Sequence, residues 1–100
     1  MRILHLSDRL SARGGAHRHL LGILEHLSLA QEVSLAVGAR EPGVEAPCPV
    51  LEVDGLAARE SQPVALDDLA DALRPDVVHL HTVVNPAALA WAAERPAVMT

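Results

Sequence analysis

Two imidazoles close the segment Arg74-Pro75-Asp76-Val77-Val78-His79-Leu80-His81, where an apolar strand pattern runs into polar side chains. Being two apart on a strand, His79 and His81 point to one face and can both reach a ligand crevice or a metal. Zinc needs a third protein ligand, for which Asp8 is the nearest candidate. Six scattered histidines without a helical H-E-x-x-H pattern do not specify one, so no metal is expected. The structural alternative makes His79 a hydrogen-bonded core residue, with only His81 near solvent. His5 alternates with Leu4 and Leu6 and reads as structural.

A second constellation is Arg13-Gly14-Gly15, with His17 two residues further on. Adjacent glycines at a helix start leave N–H groups open to close approach, which suits a phosphate or carboxylate, and Arg13 adds a charge-assisted donor. The pair could equally make a tight turn and nothing more. It is not a dinucleotide fingerprint, which needs G-x-G-x-x-G/A directly after a strand, nor is the phosphate-loop pattern present. His19 and His26 fall on the helix that follows and read as surface or packing residues. Cys48, the only cysteine, lies in Ala46-Pro47-Cys48-Pro49 with no base beside it, which excludes an intrachain disulfide and gives no support to a catalytic thiol.

The elements that must position these residues follow from periodicity. Ile3 to Leu6 is an apolar run suited to a strand covered on both faces. A polar loop from Ser7 to Arg13 leads to a helix on which Leu20, Ile23, Leu24 and Leu27 recur at three- and four-residue spacing. Val33 to Val37 predicts a second strand closed by Gly38, and Val50 to Val53 a third. Leu66, Leu69, Ala70 and Leu73 outline a second helix stopped by Pro75, with Asp67 and Asp68 favouring its dipole. Val77 to Leu80 is the fourth strand. Asn85-Pro86 caps a third helix anchored by Trp91, and Ala97-Val98-Met99 starts a fifth strand. Strands alternating with helices over short connections imply an α/β, Rossmann-like three-layer domain with a mainly parallel sheet. The interval from Gly38 to Gln62 is the least regular.

Composition narrows the function. The 100 residues allow one domain, half of them hydrophobic but with one Trp and no Phe or Tyr, so bases have almost nothing to stack on. A net charge of -5 argues against a nucleic-acid surface. No apolar run is long enough for a spanning helix and Met1-Arg2 enters a strand directly, so a cytoplasmic location is expected, with membrane association left open.

Taken in order, Met1-Arg2-Ile3-Leu4-His5-Leu6, Arg13-Gly14-Gly15-Ala16-His17-Arg18-His19-Leu20 and Arg74 to His81 resemble the amino-terminal domain of glycosyltransferase family four. The resemblance spans essentially the whole chain. It implies half of a GT-B architecture, in which this domain mainly holds the acceptor and a carboxyl-terminal domain, absent here, holds a nucleotide diphosphate sugar. Transfer to an acceptor glycoconjugate proceeds with retention, and no cofactor is implied. Gly14 and Gly15 then match the glycine loop facing the donor diphosphate or the acceptor, His79 and His81 match the D-V-V-H-x-H segment lining the cleft, and Asn85 lies in the loop after it. His17 stands where such sequences often carry Glu. Ala30-Gln31-Glu32-Val33 replaces a commoner glycine-histidine turn. A substrate-contacting histidine expected beyond Thr100 is missing, so the chain alone is expected to lack transferase activity, and no catalytic base can be named. The reading from another class is a stand-alone Rossmann-like binding or interaction module; a dinucleotide oxidoreductase fragment ranks below both.

Overall fold

The computed structural model describes residues 1–100. Five parallel strands form one sheet, with elements in the order β1 (Arg2–Leu10), α1 (Gly15–Leu27), β2 (Glu32–Arg40), β3 (Val50–Glu52), α2 (Leu66–Leu73), β4 (Val77–His81), α3 (Pro86–Ala93) and β5 (Ala97–Met99). Their spatial order is β3-β2-β1-β4-β5. This is the α/β, Rossmann-like three-layer domain that the alternation of patterns predicts.

Strand alternation sorts the core into two layers. Leu4 and Leu6 of β1, Ala36 of β2, and Val78 and Leu80 of β4 face α2 and α3, where they meet Leu66, Ala88 and Ala92. On the opposite face Val33, Leu35 and Val37 pack with Leu10 against Leu20 and Leu24 of α1. That arrangement is why the three- and four-residue spacing on α1 was readable: Leu20 and Leu24 are its fully buried positions.

Two strands run longer than their apolar runs. β1 continues through Leu10 because its far end pairs with β2 alone, Arg9 with Ala39 and Leu10 with Arg40, after β4 has stopped at the Ser7–His81 pair. The expected polar loop therefore begins at Ser11. Gly38 lies inside β2 rather than closing it. A Cβ there would collide with the backbone nitrogen of Ala57, so this glycine marks a close approach of chain to strand, not a stop.

The helix ends follow local chemistry. The Asn85 side chain accepts from the Ala87 amide at 3.0 Å, and Pro86 occupies the first turn of α3. α2 ends at Arg74 in the left-handed region, φ 49°, just before Pro75. Asp67 joins α2 to α3 by accepting from Trp91 Nε1 at 2.8 Å, while the Arg95 guanidinium lies 3.8 Å from the centre of the Trp91 ring. No helix is long and apolar enough to cross a membrane.

Candidate functional site

The chain leaves β1 toward α1 on one face and leaves β4 toward α3 on the other. Neighbouring strands whose connections part in this way open a crevice at their carboxyl ends. Asp8 of β1 and Thr82, just past β4, meet across it: the Thr82 hydroxyl lies 2.6 Å from Asp8 Oδ1 and 2.6 Å from the His81 carbonyl, and its one hydrogen serves either acceptor. Thr82 has φ 56°, a left-handed conformation that a β-branched residue adopts at a cost of about 1–3 kcal/mol. The hydroxyl bonds offset part of that cost.

His17, on the first turn of α1, closes the same group with Nε2 3.1 Å from Asp8 Oδ1 and Nδ1 3.3 Å from the Arg13 carbonyl. Burial acts to raise the Asp8 carboxyl, but bonds from Thr82 and His17, the His17 charge and the Arg9 amide outweigh it and leave the group below its ordinary value.

Gly14 has φ 82°, a conformation that L side chains rarely adopt, and it precedes α1 without any side-chain cap. Nothing lies within 4 Å of a Cβ built at Gly14 or Gly15. The first amides of α1 are thus open to an approaching anion. Beside them Arg9, Arg13 and Arg40 line a groove of about 340 Å³ together with Leu10, Ala39 and Glu41. Arg13 pairs with Glu41 at 3.3 Å, and Ser11 organises the turn by donating to Glu41 at 2.6 Å and accepting from the Arg13 amide at 3.0 Å. Arg40 was not foreseen, because it joins this groove only through the extension of β2 beyond Gly38.

His79 and His81 do share a face, but His5 joins them. Parallel pairing of β1 with β4 sets His5 level with His79, and His5 Nδ1 lies 2.9 Å from His81 Nε2. Ring centres are 5.2 Å apart for His5 with each partner and 3.9 Å apart for His79 with His81. The exposures of His79 and His81 are the reverse of the structural alternative: His81, like His5, is buried, whereas His79 is half-buried and bonds the hydroxyl of exposed Thr100. Burial, and then the neighbouring His79 charge, pushes His5 down from 6.5 to about 4. Burial, followed by His79, His5 and His19, takes His81 down to about 3. His79 is lowered by burial. His5 was recoverable from sequence had β1 been placed beside β4, since both carry histidine at the same level.

Asn85 stands apart from both groups. It is fully buried, accepts from the Gln62 and Ala87 amides at 3.1 and 3.0 Å, and donates to the Gly55 and Gln62 carbonyls at 2.8 and 2.9 Å. Every hydrogen-bonding position of its amide is thereby used in pinning the 55–62 segment to the start of α3. Comparison with protein-family profiles, with curated proteins and with solved structures found no match.

Proposed function

We propose that this chain is the amino-terminal, acceptor-side domain of a retaining GT-B glycosyltransferase, which moves a sugar from a nucleotide diphosphate sugar to an acceptor glycoconjugate. One observation carries the reading. The uncapped Gly14-Gly15 turn follows directly on Arg13, which lines a groove with Arg9 and Arg40 at the carboxyl ends of β1 and β2, an arrangement that supports binding of a diphosphate.

Sugar transfer from such a donor develops negative charge on the departing diphosphate, and fixed donors aimed at that charge lower the barrier. Gly14 and Gly15 would supply backbone N–H groups. Arg13 would turn from Glu41, to which it is held by an exposed ion pair worth about 0–1 kcal/mol, so its recruitment costs little. His17, held between Asp8 and the Arg13 carbonyl, fixes the first turn of α1 beside the loop. His79 and His81, at the end of β4, support the neighbouring sheet surface. The domain contributes positioning and charge stabilisation, and the donor's nucleoside falls to a second domain.

NMR titration of the chain tests this reading with uridine and guanosine diphosphate hexoses against uridine, guanosine and the free hexose, which lack the diphosphate. The expected result is a saturable shift of the Gly14, Gly15 and His17 amides with a nucleotide sugar and none with the ligands that lack a diphosphate. Silence of those amides toward every nucleotide sugar, or an equal response to the nucleosides, would overturn it.

A further inference from the structure

We propose that His5, His79 and His81 form a binding site for a divalent transition metal of the zinc class, independent of the glycosyltransferase reading. Each ring brings one nitrogen to within 4.8 Å of the other two. A tetrahedral ion with zinc–nitrogen bonds of about 2.0–2.1 Å holds its ligand nitrogens roughly 3.3 Å apart. His5 Nδ1 and His81 Nε2, at 2.9 Å, need only a few tenths of an ångström of separation to admit one.

The scaffold for the cluster is rigid. His79 and His81 occupy alternate positions of β4, and His5 lies on the adjacent strand in parallel register, so three imidazoles share one sheet face without any loop having to order. A single proton between His5 and His81 is a poorer use of three converging rings than a cation that accepts a lone pair from each.

The donor set selects the metal. Imidazole nitrogen suits zinc, copper, nickel and iron, whereas calcium and magnesium want oxygen. No carboxylate belongs to the trio, and Asp8 is held by Thr82 and His17. Three histidines leave the fourth position of a tetrahedral ion to water or to an oxygen such as the Thr100 hydroxyl, which already bonds His79.

Calorimetric titration of chelator-stripped protein with zinc chloride should give one equivalent bound, with affinity at least tenfold weaker in His79→Ala and unchanged in His26→Ala, which alters an exposed histidine of α1. His79 is only half-buried, so its truncation is compatible with folding. A second measurement needs no variant: in the unaltered chain zinc should shift the side-chain nitrogen resonances of His5, His79 and His81 together. Failure to bind, undiminished binding by His79→Ala, or shifts confined to His17, His19 and His26 would overturn the proposal.

Discussion

His5 Nδ1 and His81 Nε2 lie 2.9 Å apart across the β1–β4 pairing, a contact between residues 76 apart in sequence that exists because two parallel strands carry histidine on one face. It places two imidazoles that must stay neutral in a largely aliphatic interior.

Stability should therefore fall in mild acid. The folded pKa values of His5 and His81, about 4 and 3, lie below the ordinary 6.5, so the unfolded chain binds more protons across that interval. Their contribution is complete above pH 6.5 and is lost as the pH falls toward 4 and then 3, with His5 alone accounting for something on the order of 3 kcal/mol. Asp8, whose folded value is depressed, loses its own contribution only below its ordinary value of 3.8. Urea unfolding with a chelator present, at pH 7.5 and pH 4.5, should show this drop. A midpoint that does not move would contradict it.

Thr82→Val isolates the bond across the crevice. Valine keeps the shape and the backbone strain at φ 56° but removes the hydroxyl 2.6 Å from Asp8. The Asp8 carboxyl should titrate at higher pH, and the protein should lose about 1–2 kcal/mol. An Asp8 resonance that titrates as before would show that the hydroxyl bonds the His81 carbonyl instead.

Asn85→Ala should act on stability and not on ligand. It strips partners from the Gln62 and Ala87 amides and from the Gly55 and Gln62 carbonyls, a loss of about 2–4 kcal/mol, while nucleotide-sugar affinity stays unchanged in the folded fraction. A stable variant with weakened ligand binding would return Asn85 to the site.

Much of the fold was legible because α1 and α2 declared a buried face, α3 declared its start by the Asn85-Pro86 pair, and each strand declared an apolar run. Leu20 with Leu24, and Asn85-Pro86, are instances where local pattern and tertiary outcome agree. Gly38 shows the limit: a glycine inside a strand and a glycine that ends one look alike until the Ala57 backbone is seen against it. The candidate site divides in the same way. Gly14, Gly15 and His81 announce themselves by type and spacing, but the Asp8–Thr82 bond, the place of Arg40 and the partnership of His5 depend on which strand lies beside which. Asn85 carried two meanings in sequence, cap and loop residue, and its buried amide takes the first.

The most direct measurement is the affinity of the chain for a nucleotide diphosphate hexose before and after Gly15→Val. Nothing lies within 4 Å of the position and its φ is not positive, so the variant should fold as before while its side chain covers the first amides of α1. The variant should lose affinity tenfold or more with unchanged thermal stability. Equal affinity in the two proteins would contradict the claim that the Gly14-Gly15 turn receives the diphosphate.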